Sequence, residues 1–519
     1  MKYRESQDDI RLRRWFSNSL DQQLLRGFDL TIGTLRGVSP FSIKIDFPIL
    51  AIAGRNGSGK STLLAIAACA FHSYKKEHIL KNKIKSYYTF ADFFIQHANE
   101  ISPEGVSIKY KIAHNNWTPT PGCPDGKGVL YQSRHKKRGG KWNNYDRRVR
   151  REVIFLGIER IVPHSEKSQS RSYSRQFVEN GSDGWEPLVK EAVGYVLNKK
   201  YQDFKYVTHS KYRLPLVQCN GVSISGFNMG AGESALFEIF SSLYACSEGA
   251  LIVVDEIELG LHAEAQLRLI RKIKELSLSR KLQIIFTTHS NMIFGCLPND
   301  ARVFIESVSG KTFIRTGISP DYAFSKLSSD NSEELDVLVE DKVAERLLSS
   351  VLPSDIRSRI RIEVVGSASS LSRQLAAVYQ RGKKKSTLVV FDGDQRKLIT
   401  DNIKYAKSML ENNLDGFDEW FKSSVEYLPG EGWPEKWIVE KSLQYVDNLS
   451  VLVQSPVVEL TEILIRGKEA EKHKEFYDIS TPLGLDESTV LDRCCVNLSM
   501  NCKDDFAYLI KKIRESLDY

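Results

Sequence analysis

The chain has 519 residues, 41% hydrophobic and 27% charged, with a formal net charge of +8. That length supplies about two to four domains with sizeable cores, and the composition excludes a disordered, collagenous or disulfide-rich chain. The basic excess is too small for this size to name a polyanionic partner by itself.

The chain opens on a charged segment, Met1 to Phe16, with no apolar signal stretch. No apolar run approaches the roughly 18 residues of a membrane span, which predicts a cytoplasmic protein with no membrane association. Eight Cys are scattered, none in a C-x-x-C pair. They predict reduced thiols rather than a disulfide framework or a zinc site.

Residues 28–53 read as β structure. Phe41, Ile43 and Ile45 alternate with polar positions, and the apolar run Ile49 to Ala53 feeds a glycine-rich turn. That turn, Gly54-Arg55-Asn56-Gly57-Ser58-Gly59-Lys60-Ser61-Thr62, matches G-x-x-x-x-G-K-[ST]. An Ala-rich helix from Thr62 to about residue 70 follows, the context a phosphate loop needs. The glycines let backbone N–H groups close around a phosphate at the positive end of a helix. Lys60 is expected at the β- and γ-phosphates and Ser61 on Mg²⁺. The chain is therefore expected to bind ATP with Mg²⁺, through Gly54, Asn56, Gly57, Gly59, Lys60, Ser61 and Thr62.

Residues 71–215 predict a long α/β insertion. It holds an aromatic helix-like segment (Tyr87, Tyr88, Phe90, Phe93, Phe94), read as core, and an alternating strand, Ser107 to Ile112. Arg134 to Arg151 carries nine Lys/Arg against the single acid Asp146, with Trp142 and Tyr145 interleaved. Such a stretch suits a nucleic-acid backbone; a solvated hairpin has the same composition.

Phe227 to Ser234 places Gly230-Ala231-Gly232-Glu233 before an apolar helical run, another anion-binding helix start. The buried strand Ala250 to Val254 ends in Asp255-Glu256. Carboxylates there are placed to hold Mg²⁺ through water and to activate an attacking water. A further strand, Gln283 to Thr288, closes on His289-Ser290.

Phosphate loop, G-x-G-E turn, strand-D-E and strand-T-H-S follow in an order that resembles the ATP-binding-cassette ATPase head. The resemblance implies that Gly230, Gly232 and Glu233 belong to a signature turn acting on the ATP of a second head. It also implies that Glu256 polarises water, that His289 senses the γ-phosphate, and that Glu256 to His262 faces a dimer partner. The departure is Gly230-Ala231-Gly232-Glu233, where a Ser-Gly-Gly triplet is usual.

Residues 325–334 are polar and read as a linker. Strand Leu335 to Val339 then ends in Glu340, strand Arg361 to Val365 in Gly366, and strand Thr387 to Phe391 in Asp392-Gly393-Asp394. This is a parallel sheet with three acids at its carboxyl edge. They repel one another unless a hard cation, Mg²⁺ or Mn²⁺, neutralises them. Two such ions suit phosphodiester displacement. The pattern resembles the Toprim domain, which implies metal binding by Glu340, Asp392 and Asp394 and catalytic roles for all three. Val339-Glu340-Asp341 departs from the usual V-E-G, and Ala344 stands where related nucleases often carry an acid. Lys383 to Lys385, before the third strand, suits either a phosphate backbone or a solvated loop. A fourth strand, Ser424 to Tyr427, and a helix from about Pro434 carrying Glu435, Lys436, Glu440 and Lys441 follow. The resemblance to related nucleases implies that a lysine on that helix neutralises transition-state charge, although surface ion pairing is the simpler account of any single one.

The expected fold is α/β. An ABC-type P-loop ATPase domain occupies 1–324, with its insertion at about 71–215. A Toprim-like parallel α/β domain spans 335–440, and a helical C-terminus spans 441–519. An ATPase head joined to Toprim in one chain resembles the OLD (overcoming lysogenization defect) family of ATP-dependent nucleases. The resemblance implies a DNA endonuclease in anti-phage defence, dimeric or larger through its heads. An ATPase sensor with an inactive Toprim-like half acting through a partner protein, and an RNase toxin, are the other expectations.

Overall fold

The computed structural model describes residues 3–20, 22–72, 87–97, 99–100, 103–137, 142, 147–167, 172–179, 181–210, 212–325, 333–381, 386–410 and 416–518. The chain divides into two compact units, 2–329 and 330–519. Lys383 to Lys385, most of the 325–334 linker, and Tyr145 with its neighbours lie outside the described residues.

The strands of the first unit are β1 (Leu24–Ile32), β2 (Phe41–Lys44), β3 (Ile49–Gly54), β4 (Val106–His114), β5 (Gly128–Lys136), β6 (Val153–Leu156), β7 (Val178–Glu179), β8 (Asp203–His209), β9 (Tyr212–Cys219), β10 (Val222–Ser225), β11 (Leu251–Val254), β12 (Gln283–Thr287), β13 (Arg302–Val308) and β14 (Lys311–Thr316). The central sheet has the order β14-β13-β3-β12-β11-β6, parallel except for β14. It is covered on both faces, which explains the unbroken apolar runs of β3, β11 and β12. Along β3, Ile49, Ala51 and Ala53 enter one core while Leu50 and Ile52 enter the other. This is the two-residue period of a strand buried on both sides.

The stretch 71–215 is woven into this unit. β4 pairs with β1 along nearly its whole length, and β6 completes the edge of the central sheet beside β11. Its apolar strands are the partners those strands require. The aromatic segment is helical only over Phe90–Phe93. Tyr88 and Phe90 are buried, and Trp142 stacks on Phe90 at 4.0 Å. Three of the nine cations of the basic stretch are put to internal use. Arg134, Arg148 and Arg151 are buried. Arg148 donates to the carbonyls of Cys69 and Tyr88, and Arg151 to Gly249 O and Gln283 Oε1. Those cations serve the fold, which removes them and Trp142 from a nucleic-acid surface.

The second unit contains β15 (Leu335–Val339), β16 (Ile360–Val364), β17 (Ser386–Phe391) and β18 (Val425–Tyr427). The sheet order is β16-β15-β17-β18, all parallel. The helices beyond residue 440 share one core with this sheet: Leu460, Ile479, Cys494 and Ile513 pack with Val337, Val339 and Leu388. No single described helix is long and apolar enough to cross a membrane. The pair Val446–Val453 and Val457–Lys468, which passes jointly, is bent by 103°.

Candidate functional site

β3 delivers the chain into the phosphate loop, and the helix Lys60–Ala68 leaves it. Gly59 adopts φ 103°, a left-handed conformation that strains any side chain. The Lys60 ammonium donates to Gly54 O at 2.9 Å and Arg55 O at 3.1 Å. Its burial lowers its pKa, while Glu256, Asp255 and Glu258 act to raise it. Ser61 Oγ donates to Asp255 Oδ2 at 2.9 Å. The two residues expected at Mg²⁺ therefore face each other as hard oxygen donors, a set suited to that ion.

Asp255 and Glu256 leave the end of β11 at the carboxyl edge of the sheet. Thr287 Oγ1 donates to Asp255 Oδ1 at 2.5 Å and accepts from Glu256 N at 2.7 Å. The Glu256 carboxylate lies 3.9 Å from His289 Nε2. Burial first, and Lys60 second, lower the His289 pKa, with Glu256 and Asp255 opposing. His289 N–H donates to Glu258 Oε1. Lys60, Ser61, Asp255, Glu256 and His289, read from separate motifs, thus form one cluster. Glu258 and Thr287 belong to it and were not singled out by the sequence. Thr287 is visible only as the strand residue whose hydroxyl meets the two acids.

Gly230 caps the helix Ala231–Ala245 and is exposed. Gly232 packs on Gly260: a Cβ at Gly232 would lie 2.1 Å from Gly260 O. The turn and the segment after Glu256 are thereby in direct backbone contact. Glu233 accepts from Tyr201 OH and from Lys199 Nζ, so its carboxylate is engaged within its own unit.

In the second unit, β15 lies between β16 and β17, so the strand order reverses beside it. Open parallel sheets bind ligands at the carboxyl ends flanking such a reversal. Glu340 follows β15 and Asp392 follows β17, which places both there. The backbone N–H groups of Asp392 and Ala368 act to lower the Glu340 pKa. Gly393 meets the loop after β18, where a Cβ would lie 2.4 Å from Gly430 O. That loop opens the helix Pro434–Gln444 and brings in Glu435, a further acid in the field of Asp392.

Burial, then Asp394 and Asp341, push Glu340 up to about 7 against the opposing effect of the Asp392 and Ala368 N–H groups. Burial and then Glu340 push Asp392 up to about 8. Glu340 Oε1, Asp392 Oδ1 and Glu435 Oε2 are buried without hydrogen-bond partners. Acids held this way suit a hard divalent cation, whose charge would replace the missing donors. Among the described residues no three His, Cys, Asp or Glu side chains form a closed metal-ligand group. The acids gather at one edge without completing a coordination shell.

Lys472 Nζ lies 3.8 Å from Asp394 Oδ2, and His473 Nδ1 is 2.8 Å from Glu435 Oε1. Of the lysines on the helix from Pro434, Lys441 is paired with Asp505. Lys472, on a segment with no chemical signal of its own, brings a cation to Asp394. Ala344 is fully buried in the core, where an added acid would have no solvent.

A protein-family model described as "AAA domain, putative AbiEii toxin, Type IV TA system" matches residues 114–294. That span starts after the phosphate loop and contains the Gly230–Glu233 turn, Asp255, Glu256 and His289. No curated protein matches. The SMC head domain from Thermotoga maritima is 16% identical with a TM-score of 0.34, over 56% of this chain and 98% of that one. A Pyrococcus furiosus Smc head with an extended coiled coil, bound to the C-terminal domain of ScpA, is 12% identical at TM-score 0.36, over 59% and 99%. An ATP-binding cassette of an ABC transporter in its ADP conformation is 10% identical at TM-score 0.30, over 59% and 95%. The phosphate loop with its facing carboxylates, together with the AAA-domain match over residues 114–294, supports a P-loop ATPase in residues 2–329.

Proposed function

We propose that the chain is an ATP-hydrolysing, metal-dependent endonuclease of the OLD type, cutting DNA, with a role in defence against phage. ATP and Mg²⁺ bind at Gly54, Asn56, Gly57, Gly59, Lys60, Ser61, Thr62 and Asp255. Glu256 orients the attacking water and His289 answers to the γ-phosphate. Gly230, Gly232 and Glu233 serve a second head in a homodimer. The observation that supports the nuclease reading is the placement of Glu340 and Asp392 after the neighbouring strands β15 and β17 that flank the strand-order reversal, each with a buried carboxylate oxygen lacking a donor, and with Asp394 in their field. A bound Mg²⁺ or Mn²⁺ would supply charge neutralisation and an activated water. The chain's own contribution is to hold the acids on rigid strand ends, with Lys472 beside Asp394.

The second reading is an ATPase whose Toprim-like unit is inactive and which acts through a partner protein. The unclosed ligand group and the buried Ala344 favour it. The test is Mn²⁺ and Mg²⁺ titration of the wild type and of Asp392→Ala/Asp394→Ala, followed by incubation with plasmid DNA and total RNA. The proposal predicts cation binding and DNA cleavage that the double variant loses. Cleavage of RNA alone moves the assignment to an RNase toxin. Cation binding and cleavage both absent in the wild type favour the partner-dependent ATPase.

A further inference from the structure

We propose that Arg160 is a positioning residue for ATP hydrolysis, holding the main chain at Asp255 and Glu256 so that the Glu256 carboxylate stays aimed at the phosphate loop. The inference rests on the ATPase reading. Arg160 lies in the short 3-10 turn Ile158–Ile161 that follows β6, and it is 4% exposed. Its guanidinium donates from Nη1 to Asp255 O at 2.6 Å and to Gly157 O at 2.8 Å. From Nη2 it donates to Glu256 O at 2.6 Å.

Two consecutive carbonyls at the exit of β11 are thus clasped by one planar fork, a geometry a lysine ammonium cannot reproduce. Glu256 has φ 48°, a left-handed conformation that a side-chain-bearing residue keeps only when its surroundings impose it. Its N–H is fixed by Thr287 Oγ1 and its carbonyl by Arg160, so the peptide groups on both sides of its Cα are held. That sets the direction in which the side chain leaves the backbone, and its carboxylate lies 3.9 Å from His289 Nε2. None of these contacts is to a carboxylate; Asp255, Glu258, Glu256 and Glu238 act on Arg160 only through their field. A group serving packing alone would need no buried cation here, since removing an ion from water is costly. The same turn packs against the helix Ala231–Ala245, and the segment beyond Glu256 meets Gly232 at that helix's start. Arg160 therefore fixes one end of a loop whose other end touches the G-x-G-E turn.

The test compares full-length wild type, Arg160→Ala, Arg160→Lys and Glu256→Gln in steady-state ATP hydrolysis and in binding of a fluorescent ATP analogue. Misplacing a reacting group by about 1 Å costs on the order of 10²-fold. Arg160→Ala is accordingly expected to lose about 10²-fold in kcat with KM and analogue affinity within about threefold of wild type. Arg160→Lys is expected to fall between, and added guanidinium ion to restore part of the kcat of Arg160→Ala. Wild-type kcat in Arg160→Ala overturns the inference alone, as does a parallel loss of kcat and affinity that guanidinium does not repair. Where Arg160→Ala does not fold, a folded Arg160→Lys with wild-type kcat overturns it. A wild type that hydrolyses no ATP, or a Glu256→Gln that matches it, overturns this inference together with the ATPase reading.

Discussion

Replacing Asp392 by Asn is expected to stabilise the second unit when divalent cations are absent, and increasingly so as pH rises. Asp392 is 7% exposed, one of its oxygens has no hydrogen-bond partner, and Glu340, Asp341, Asp394 and Glu435 all oppose its ionisation. Its pKa stands at about 8 in the folded chain, against an ordinary 3.8. The folded state therefore holds a proton that the unfolded chain has released between those two values. Where the folded state binds more protons, stability falls as pH rises. The penalty is absent below about pH 4, grows across the interval and levels off above about pH 8. A shift of about four units at ~1.4 kcal/mol each sets a ceiling near 5 to 6 kcal/mol. Sharing the repulsion with Glu340, and relaxation around the site, bring the expected gain to on the order of 2 to 3 kcal/mol. The assay is urea unfolding in EDTA, with the second unit followed by hydrogen exchange in β15 and β17 after correction for intrinsic rate. Asn and wild type should coincide near about pH 4 and differ by the full amount at about pH 9. A difference independent of pH, or a wild type that gains stability with rising pH, would refute the reasoning.

Four further outcomes follow from the same geometry. Calorimetric Mn²⁺ titration should release protons and bind more tightly at about pH 8 than at about pH 6, because Glu340 and Asp392 must lose protons to ligate; Asp392→Ala/Asp394→Ala should abolish both effects. Lys60→Ala should weaken ATP binding by roughly 10- to 100-fold, the worth of a charge-assisted phosphate contact, read with a fluorescent analogue. Glu256→Gln should keep ATP affinity and slow hydrolysis by about 10²- to 10⁴-fold, and sedimentation should show an ATP-dependent dimer. Gly232→Ala should cost about 1 to 3 kcal/mol in a urea titration, because its Cβ would strike Gly260 O, and should suppress hydrolysis with it.

The cluster around the phosphate loop was legible because its residues lie in short contiguous motifs at strand ends. Lys60, Asp255, Glu256 and His289 come from three strands that a doubly covered sheet brings edge to edge. Arg160 carried no such signal. Its role depends on β6 being the strand beside β11, a pairing across roughly a hundred residues of chain that no local pattern encodes. The basic run Arg134 to Arg151 was legible only in part, for a related reason. Composition records charge, but only the fold decides that Arg148 and Arg151 turn inward to backbone carbonyls. In the second unit the strand-end acids were readable. Lys472 and His473 lie on a segment far along the chain whose approach to Asp394 and Glu435 is set by helix packing. The helices after residue 440 gave no chemical signal, because their Leu, Ile and Val positions serve a core shared with β15 and β17.

The measurement that bears most directly on the central claim is cleavage of plasmid DNA in Mn²⁺ or Mg²⁺, with and without ATP. Wild type would be run beside Asp392→Ala/Asp394→Ala and Lys60→Ala. The account predicts nicked or linear DNA from the wild type, intact plasmid with the double Asp variant, and a response to ATP that Lys60→Ala lacks. Intact plasmid in every lane from a protein that still hydrolyses ATP, or cleavage unchanged in the double Asp variant, would contradict it.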